Sequence, residues 1–191
     1  MEARIVYFDK PGKENTDTVM EVVRRRAQEL GIKTVVVASQ RGYTAEKAVR
    51  ALDGMKIIVV AGFYAPTMEN IAETFTNCDE KLVRSKATVL LATHLFAGLQ
   101  GAMRKKFSTI ETNEVVASTL RTISTGIKVA VECAVMAADS GLVRTDEDII
   151  SIGGTGGTKG GADSAIVVRP VNSQDFFDLK VKEILCKPRE W

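Results

Sequence analysis

T-V-V-V-A-S-Q-R-G-Y-T-A-E-K-A-V-R-A-L-D-G-M-K-I-I-V-V-A, from Thr34 to Ala61, begins and ends in runs of β-branched residues. Thr34–Ala38 carries four such residues and an alanine with no apolar–polar alternation, which predicts a strand buried on both faces. Lys56–Ala61 has the same character. Between them a helix is predicted from the Ser39–Thr44 segment through Leu52, with Gly54 as its stop. A buried strand, a helix and a second buried strand make a βαβ unit, and such units build parallel sheets.

The same pattern extends outward. Ile5–Phe8 reads as a strand ending in the turn Asp9-Lys10-Pro11-Gly12. A helix follows with Val19, Val22, Val23, Ala27 and Leu30 on one side, and Gly31 closes it. Beyond Ala61, helix is expected over Met68–Phe75 and again over Asp79–Arg84, then a strand at Thr88–Ala92 that delivers Thr93 and His94. Glu114–Ala138 reads as helix with a break at Gly126, and Val129–Ala138 is apolar nearly all round, so it belongs in the core. Asp148–Ile152 and Ser164–Val168 are short buried strands, and Asp178–Leu185 reads as a final edge strand. The expectation is one α/β domain over residues 1–191, three layers α/β/α, with a mainly parallel sheet and an antiparallel edge near the C-terminus.

Composition narrows the function. The 191 residues are 45% hydrophobic and 26% charged, with a net charge of +2. That is ordinary for a globular protein and does not favour nucleic acid. Arg24–Arg26 and Arg104–Lys106 read as solvated faces. Cys78, Cys133 and Cys186 are isolated and odd in number, which fits free thiols in an intracellular protein rather than a zinc site or a disulfide framework. The first residues show no signal segment, and the apolar stretch Thr88–Met103 is interrupted by His94, Gly98, Gln100 and Gly101, so no membrane span is predicted. The expected compartment is the cytoplasm, and a homo-oligomer remains open.

In parallel sheets, ligands bind beyond the carboxyl ends of the strands. Five loops gather there: Asp9–Thr16, Ser39–Thr44, Gly62–Thr67, Thr93–Gly98 and Gly153–Gly161. The last, inside I-G-G-T-G-G-T-K-G-G-A-D from Ile152 to Asp163, holds six of the fifteen glycines. Its density reads as too high for packing and as a means of bringing backbone N–H groups of Gly153, Gly154, Thr155, Gly156 and Gly157 against an anion. The competing reading is a flexible hairpin connection. It is neither a Walker loop nor a Rossmann loop.

Ser39, Gln40, Arg41, Gly42, Tyr43 and Thr44 open a helix, whose first N–H groups are unpaired and attract anions. Arg41 suits a phosphate fork, and Tyr43 would stack on a planar ring or pack. An ordinary N-cap at Thr44 is the competing reading. Asn15 and Thr16 read first as helix caps, with a share in the anion site as the alternative. Phe63 and Tyr64 would wall a planar ligand or pack. His94, the only histidine, would serve as an acid–base group, though no carboxylate is tied to it by spacing. No catalytic residue and no metal-ligand spacing emerges.

The segment Ala38-Ser39-Gln40-Arg41-Gly42-Tyr43-Thr44-Ala45, followed by Met55–Ala61, resembles the C-terminal α/β domain of pyruvate kinase. The strand–glycine loop–strand from Ile149 to Val168 is similar to that domain's closing hairpin. In the regulated pyruvate kinases these loops hold the phosphates of a sugar-phosphate effector. A closer resemblance covers nearly the whole chain. Tyr7–Thr16, Ala92-Thr93-His94, Gly126–Glu132 and Arg169-Pro170 look like the stand-alone pyruvate-kinase-C-terminal-like proteins of prokaryotes.

That resemblance implies the same fold without a catalytic barrel. It also implies a small phosphorylated ligand, flavin mononucleotide (FMN), held as cofactor at the loops named above. The Gly153–Gly161 loop is richer in glycine than is usual for the family. Pyruvate kinase activity is not expected, since a (β/α)₈ barrel alone typically needs about 250 residues. Three readings follow: an FMN- or nucleotide-phosphate-binding protein, a regulatory module that senses a sugar phosphate or nucleotide without catalysis, and a phosphoryl or glycosyl-phosphate enzyme using His94.

Overall fold

Runs of Val and Ile at the centre of the chain become the centre of a seven-stranded sheet in the order β1-β7-β6-β5-β2-β3-β4. The computed structural model describes residues 2–62, 75, 78–156 and 160–191. The strands are β1 (Val6–Phe8), β2 (Thr34–Ala38), β3 (Lys56–Val60), β4 (Ala87–Leu90), β5 (Ile149–Gly153), β6 (Ser164–Arg169) and β7 (Lys180–Pro188). β5, β2, β3 and β4 pair parallel, as do β1 and β7, whereas β6 is antiparallel to both of its neighbours. Among the described strands only β6 therefore runs against the rest, and the carboxyl ends of the others share one rim.

Alternate residues of each central strand enter opposite layers, as the period of two requires. Val35, Val37, Ile57 and Val59 join one core with α1 (Thr16–Leu30), α2 (Tyr43–Ala51) and α3 (Glu80–Lys86). Val36, Ile58, Ile149 and Ile166 join the other with α6 (Thr125–Asp139). Helix α5 (Thr112–Arg121) packs on α6, and α4 (Gly98–Phe107) precedes it. The architecture is three-layer α/β/α with a mainly parallel sheet, as the sequence predicts.

Some local expectations change. Asp178–Leu185 was expected as an edge strand, yet β7 lies between β6 and β1, and β1 is outermost. Leu30 is exposed, and Met20 fills the buried side of α1 instead. The Glu114–Ala138 helix breaks ahead of Gly126, because extended Ser124 caps α6 by accepting from the Ile127 N–H at 3.0 Å. Helix α4 was not anticipated. It contains Gly98 and Gly101 and buries no residue, so neither propensity nor a core-facing stripe marks it. The helix expected over Met68–Phe75 lies, except for Phe75, outside the described residues.

The basic runs are solvated in part. Arg24 and Arg25 are exposed, but Arg26 donates to both Glu183 carboxylate oxygens at 2.8 and 2.6 Å and ties α1 to β7. That hydrogen bonding holds the Glu183 carboxyl below its ordinary range. No helix among the described residues is long and apolar enough to cross a membrane.

Cys133 and Cys186 are buried and Cys78 is half-buried. Burial pushes the Cys133 thiol far up and the Cys186 thiol up to about 12. Labelling of the native protein with a thiolate-selective reagent should therefore modify Cys78 first, with Cys133 and Cys186 reacting only on unfolding. Rapid native labelling of Cys133 would contradict the burial of α6.

Candidate functional site at the carboxyl rim

Between β2 and β5 the strand order reverses. From β2 to β4 the chain steps outward with α2 and α3 on one face, and it returns to β5 through α6 on the other. Such a junction leaves a crevice beyond the strand ends. A cavity of about 140 Å³ occupies it, bounded by Ala38–Arg41, Gly62, His94, Cys133, Gly154 and Gly160–Gly161 among others.

One wall is the start of α2. Ser39 is buried, and its Oγ accepts from the Ala45 N–H at 3.1 Å, so this hydroxyl rather than Thr44 caps the helix. Gly42 occupies the N-cap position at φ 89. A Cβ there would face a left-handed penalty, overlap Cys78 Sγ and come within 2.8 Å of the Phe75 ring. With Ser39 satisfying the third turn position, the N–H groups of Gly42, Tyr43 and Thr44 make no hydrogen bond among the described residues. Arg41 is exposed beside them and has no ion pair or hydrogen bond there. Gln40 is also exposed, and Thr44 is buried with its backbone at the helix start. Lys13 Nζ lies 3.8 Å from the Tyr43 ring centroid and covers one face of it.

The opposite wall is the glycine tract, and here the composition argument needs correction. Packing alone requires several of these glycines. A Cβ on Gly153 would overlap Gly126 O and approach the Ala130 N at 2.8 Å, so β5 lies against the backbone of α6. A Cβ on Gly161 would sit 2.5 Å from Lys13 Cα, and those on Gly154 and Gly156 would strike the returning strand of the loop. In its described residues the tract is thus a close-packed backbone wedge. Gly157 lies outside the described residues, as do Phe63 and Tyr64.

Asp163 fastens the wedge, and no sequence pattern singled it out. It is 1% exposed, its Oδ2 accepts from the Thr155 N–H at 2.9 Å, and its Oδ1 accepts from Ser164 Oγ at 2.9 Å. Burial pushes its carboxyl above the ordinary range, partly opposed by these hydrogen bonds. Ser164 in turn meets Ser124, the cap of α6, at 3.2 Å. Thr155 Oγ1 is buried, with no close hydrogen-bond partner among the described residues.

Asn15 holds the N-cap position of α1, with no side-chain cap hydrogen bond, and Thr16 is the first residue of the helix. Asn15 Nδ2 donates to Lys10 O at 2.8 Å, and Thr16 Oγ1 donates to Lys13 O at 2.7 Å while accepting from the Ala162 N–H at 3.0 Å. Thr16 therefore joins the first loop to the far end of the glycine tract.

His94 forms the remaining wall, and the structure supplies the carboxylate that spacing did not. Glu132 on α6, 2% exposed, places Oε2 3.8 Å from His94 Nδ1 and 2.5 Å from Lys128 Nζ, while Oε1 accepts from the Phe96 N–H at 3.1 Å. The available signal was a pair of charges four residues apart on a helix otherwise fit only for a core.

The family model for the pyruvate kinase α/β domain matches residues 17–168, most of the chain and all of this site except the first loop. The chain belongs to the pyruvate kinase α/β-domain family. Among solved structures, Cryptosporidium parvum pyruvate kinase in complex with ADP is similar at 11% identity and a TM-score of 0.36, over 80% of this chain and 22% of that one. A second pyruvate kinase structure from Cryptosporidium parvum is similar at 9% identity and a TM-score of 0.34, over 72% of this chain and 20% of that one. The chain thus spans about a fifth of the length of the pyruvate kinases it matches. Of the candidate residues, Ser39, Gln40, Arg41, Tyr43, Thr44, His94 and Gly154 border the cavity, whereas Gly42, Gly153, Thr155 and Gly156 do not line it.

The glycine wedge yields a contrast. Gly153→Ala should destabilise the domain by about 1–3 kcal/mol through overpacking against α6. Gly101→Ala, in the exposed helix α4 with nothing near its Cβ, should be neutral or stabilise by about 0.5–1 kcal/mol. Thermal melting of the two variants checks this. Equal melting temperatures would show that β5 and α6 do not depend on the missing side chains.

Proposed function

We propose that the cleft binds a phosphorylated small molecule, with its phosphate at the start of α2 and FMN as the first candidate. The observation that carries this reading is that Arg41, Tyr43 and Thr44 border one cavity, where Arg41 and the N–H groups of Gly42, Tyr43 and Thr44 at the start of α2 have no partner among the described residues. A helix start supplies both N–H donors and the positive end of the helix dipole, and a guanidinium adds a charge-assisted fork. Whole small-molecule sites typically occupy about 300–1,000 Å³. The smaller cavity here fits the phosphate end, leaving the remainder of the ligand to extend over the rim.

The residues present suit the phosphate of FMN. The finer resemblance, to stand-alone prokaryotic members of the family, supports FMN over a free sugar phosphate. FMN would supply hydride or electron transfer when bound. The chain's own residues would hold the phosphate through the α2 N–H groups and Arg41, and Asp163 would keep the glycine tract closed beside it. A sensor of sugar phosphates or nucleotides would use the same anion site, and is distinguished by stabilisation without turnover.

The test compares phosphorylated and unphosphorylated flavin. Arg41→Ala should weaken FMN binding by about 1.5–3 kcal/mol, roughly ten- to a hundredfold, and leave riboflavin binding nearly unchanged. Equal losses for FMN and riboflavin would remove Arg41 from the phosphate site. A protein that binds neither flavin would turn the reading toward the sensor.

A further inference from the structure

Beyond the anion end of the cleft, the structure holds a second chemical feature that phosphate binding does not use. Lys128 and Glu132 form an ion pair inside α6, with side chains 9% and 2% exposed, in a helix that is otherwise almost wholly apolar. A buried pair of this kind gives little net stability relative to apolar residues of the same volume. Its position is what distinguishes it. Val129 and Cys133, each the next residue along the same helix, line the cavity.

Three contacts converge on the Glu132 carboxylate. Lys128 Nζ lies against Oε2 at 2.5 Å, which balances its charge. The Phe96 N–H donates to Oε1 at 3.1 Å, which anchors the loop that carries His94. His94 Nδ1 lies 3.8 Å from Oε2. The other ring nitrogen, Nε2, lies toward Gly62, where an added Cβ would be 3.4 Å away. Both His94 and Gly62 border the cavity. One imidazole nitrogen thus lies near a buried carboxylate, and the other lies beside Gly62 at the border of the cavity.

We propose that His94 and Glu132 form a proton-transfer dyad on the wall of the cleft, with Nδ1–H directed at the carboxylate and Nε2 exchanging a proton with an O–H or N–H group of the phosphorylated ligand. This rests on the phosphate-ligand reading above. In the forward step the ligand's O–H or N–H bond breaks and leaves its electron pair on the ligand, an Nε2–H bond forms, and the imidazolium lies against Glu132, which it shares with Lys128. The reverse step returns the same proton. The 3.8 Å separation is longer than a hydrogen bond, and such catalytic contacts commonly tighten only when a ligand is bound. Lys128 and Phe96 act as positioning groups, because they fix the charge and orientation of Glu132 without reaching the cavity themselves.

The single histidine makes the test direct, since every imidazole signal belongs to His94. Histidine-labelled protein is observed by ¹⁵N NMR, as wild type and as the double variant Lys128→Met with Glu132→Gln. The double change removes both charges together and leaves no lysine buried alone. The neutral ring of the wild type should be the Nδ1–H tautomer, and that of the variant should revert to the Nε2–H form favoured by free imidazole. FMN, its binding read separately from quenched flavin fluorescence, should shift the wild-type Nε2 signal. A wild-type ring already in the Nε2–H form would overturn the dyad. So would quenched FMN fluorescence with unmoved His94 signals, which leaves phosphate binding intact. If FMN is not bound, the phosphate reading with FMN fails, and the tautomer comparison alone decides the dyad.

Discussion

The site depends on the absence of side chains where β5 meets α6. Gly153 brings the end of β5 against the carbonyl of Gly126, and Gly126 in turn leaves room for Ser164 and Asp163. A Cβ at either position would force the strand and helix apart. This close approach seats α6 beneath the cleft, so that Cys133 borders the cavity and Glu132 reaches the loop of His94. The glycine tract continues the contact, with Gly161 against Lys13, and carries it to the first loop through Thr16. Sequence positions 146 residues apart are joined by one hydrogen bond.

Charge is distributed unevenly around this frame. Asp163 and the Lys128–Glu132 pair are buried and satisfied by named donors, while Arg41 is exposed and unpaired among the described residues. Buried charges with partners fix geometry, whereas an unpaired cation beside unpaired N–H groups favours an incoming anion. Lys13 adds a second positive group near the same rim, held over Tyr43. The described residues therefore divide into those that hold the cleft in shape and those available to a ligand.

Much of the fold was legible because burial on both faces leaves a plain record. Val35–Val37 and Ile57–Val60 have no polar alternation, and both strands lie between two layers. Strand order was less legible. The pairing of β1 with β7 links opposite ends of the chain, and no local pattern encodes it. Helix α4 escaped notice because nothing in it is buried. The loops of the site were visible as polar segments after apolar strands, yet the roles of their residues were not. Ser39 read as a ligand hydroxyl and serves as a cap, and Thr16 read as a cap and serves as a tie. The glycines read as anion binders, and several are spacers. Side chains that work through distant partners, such as Asp163 and Glu132, have no signature in spacing.

The central claim is that an anion is bound by the backbone at the start of α2, beside the glycine wedge. Backbone amide NMR during titration with FMN, and separately with inorganic phosphate, tests it most directly. The account predicts that the largest shifts for both fall on Gly42, Tyr43 and Thr44, with smaller ones on Gly154, Gly160 and Gly161. Shifts centred elsewhere, or none at these amides while the ligand binds, would contradict it.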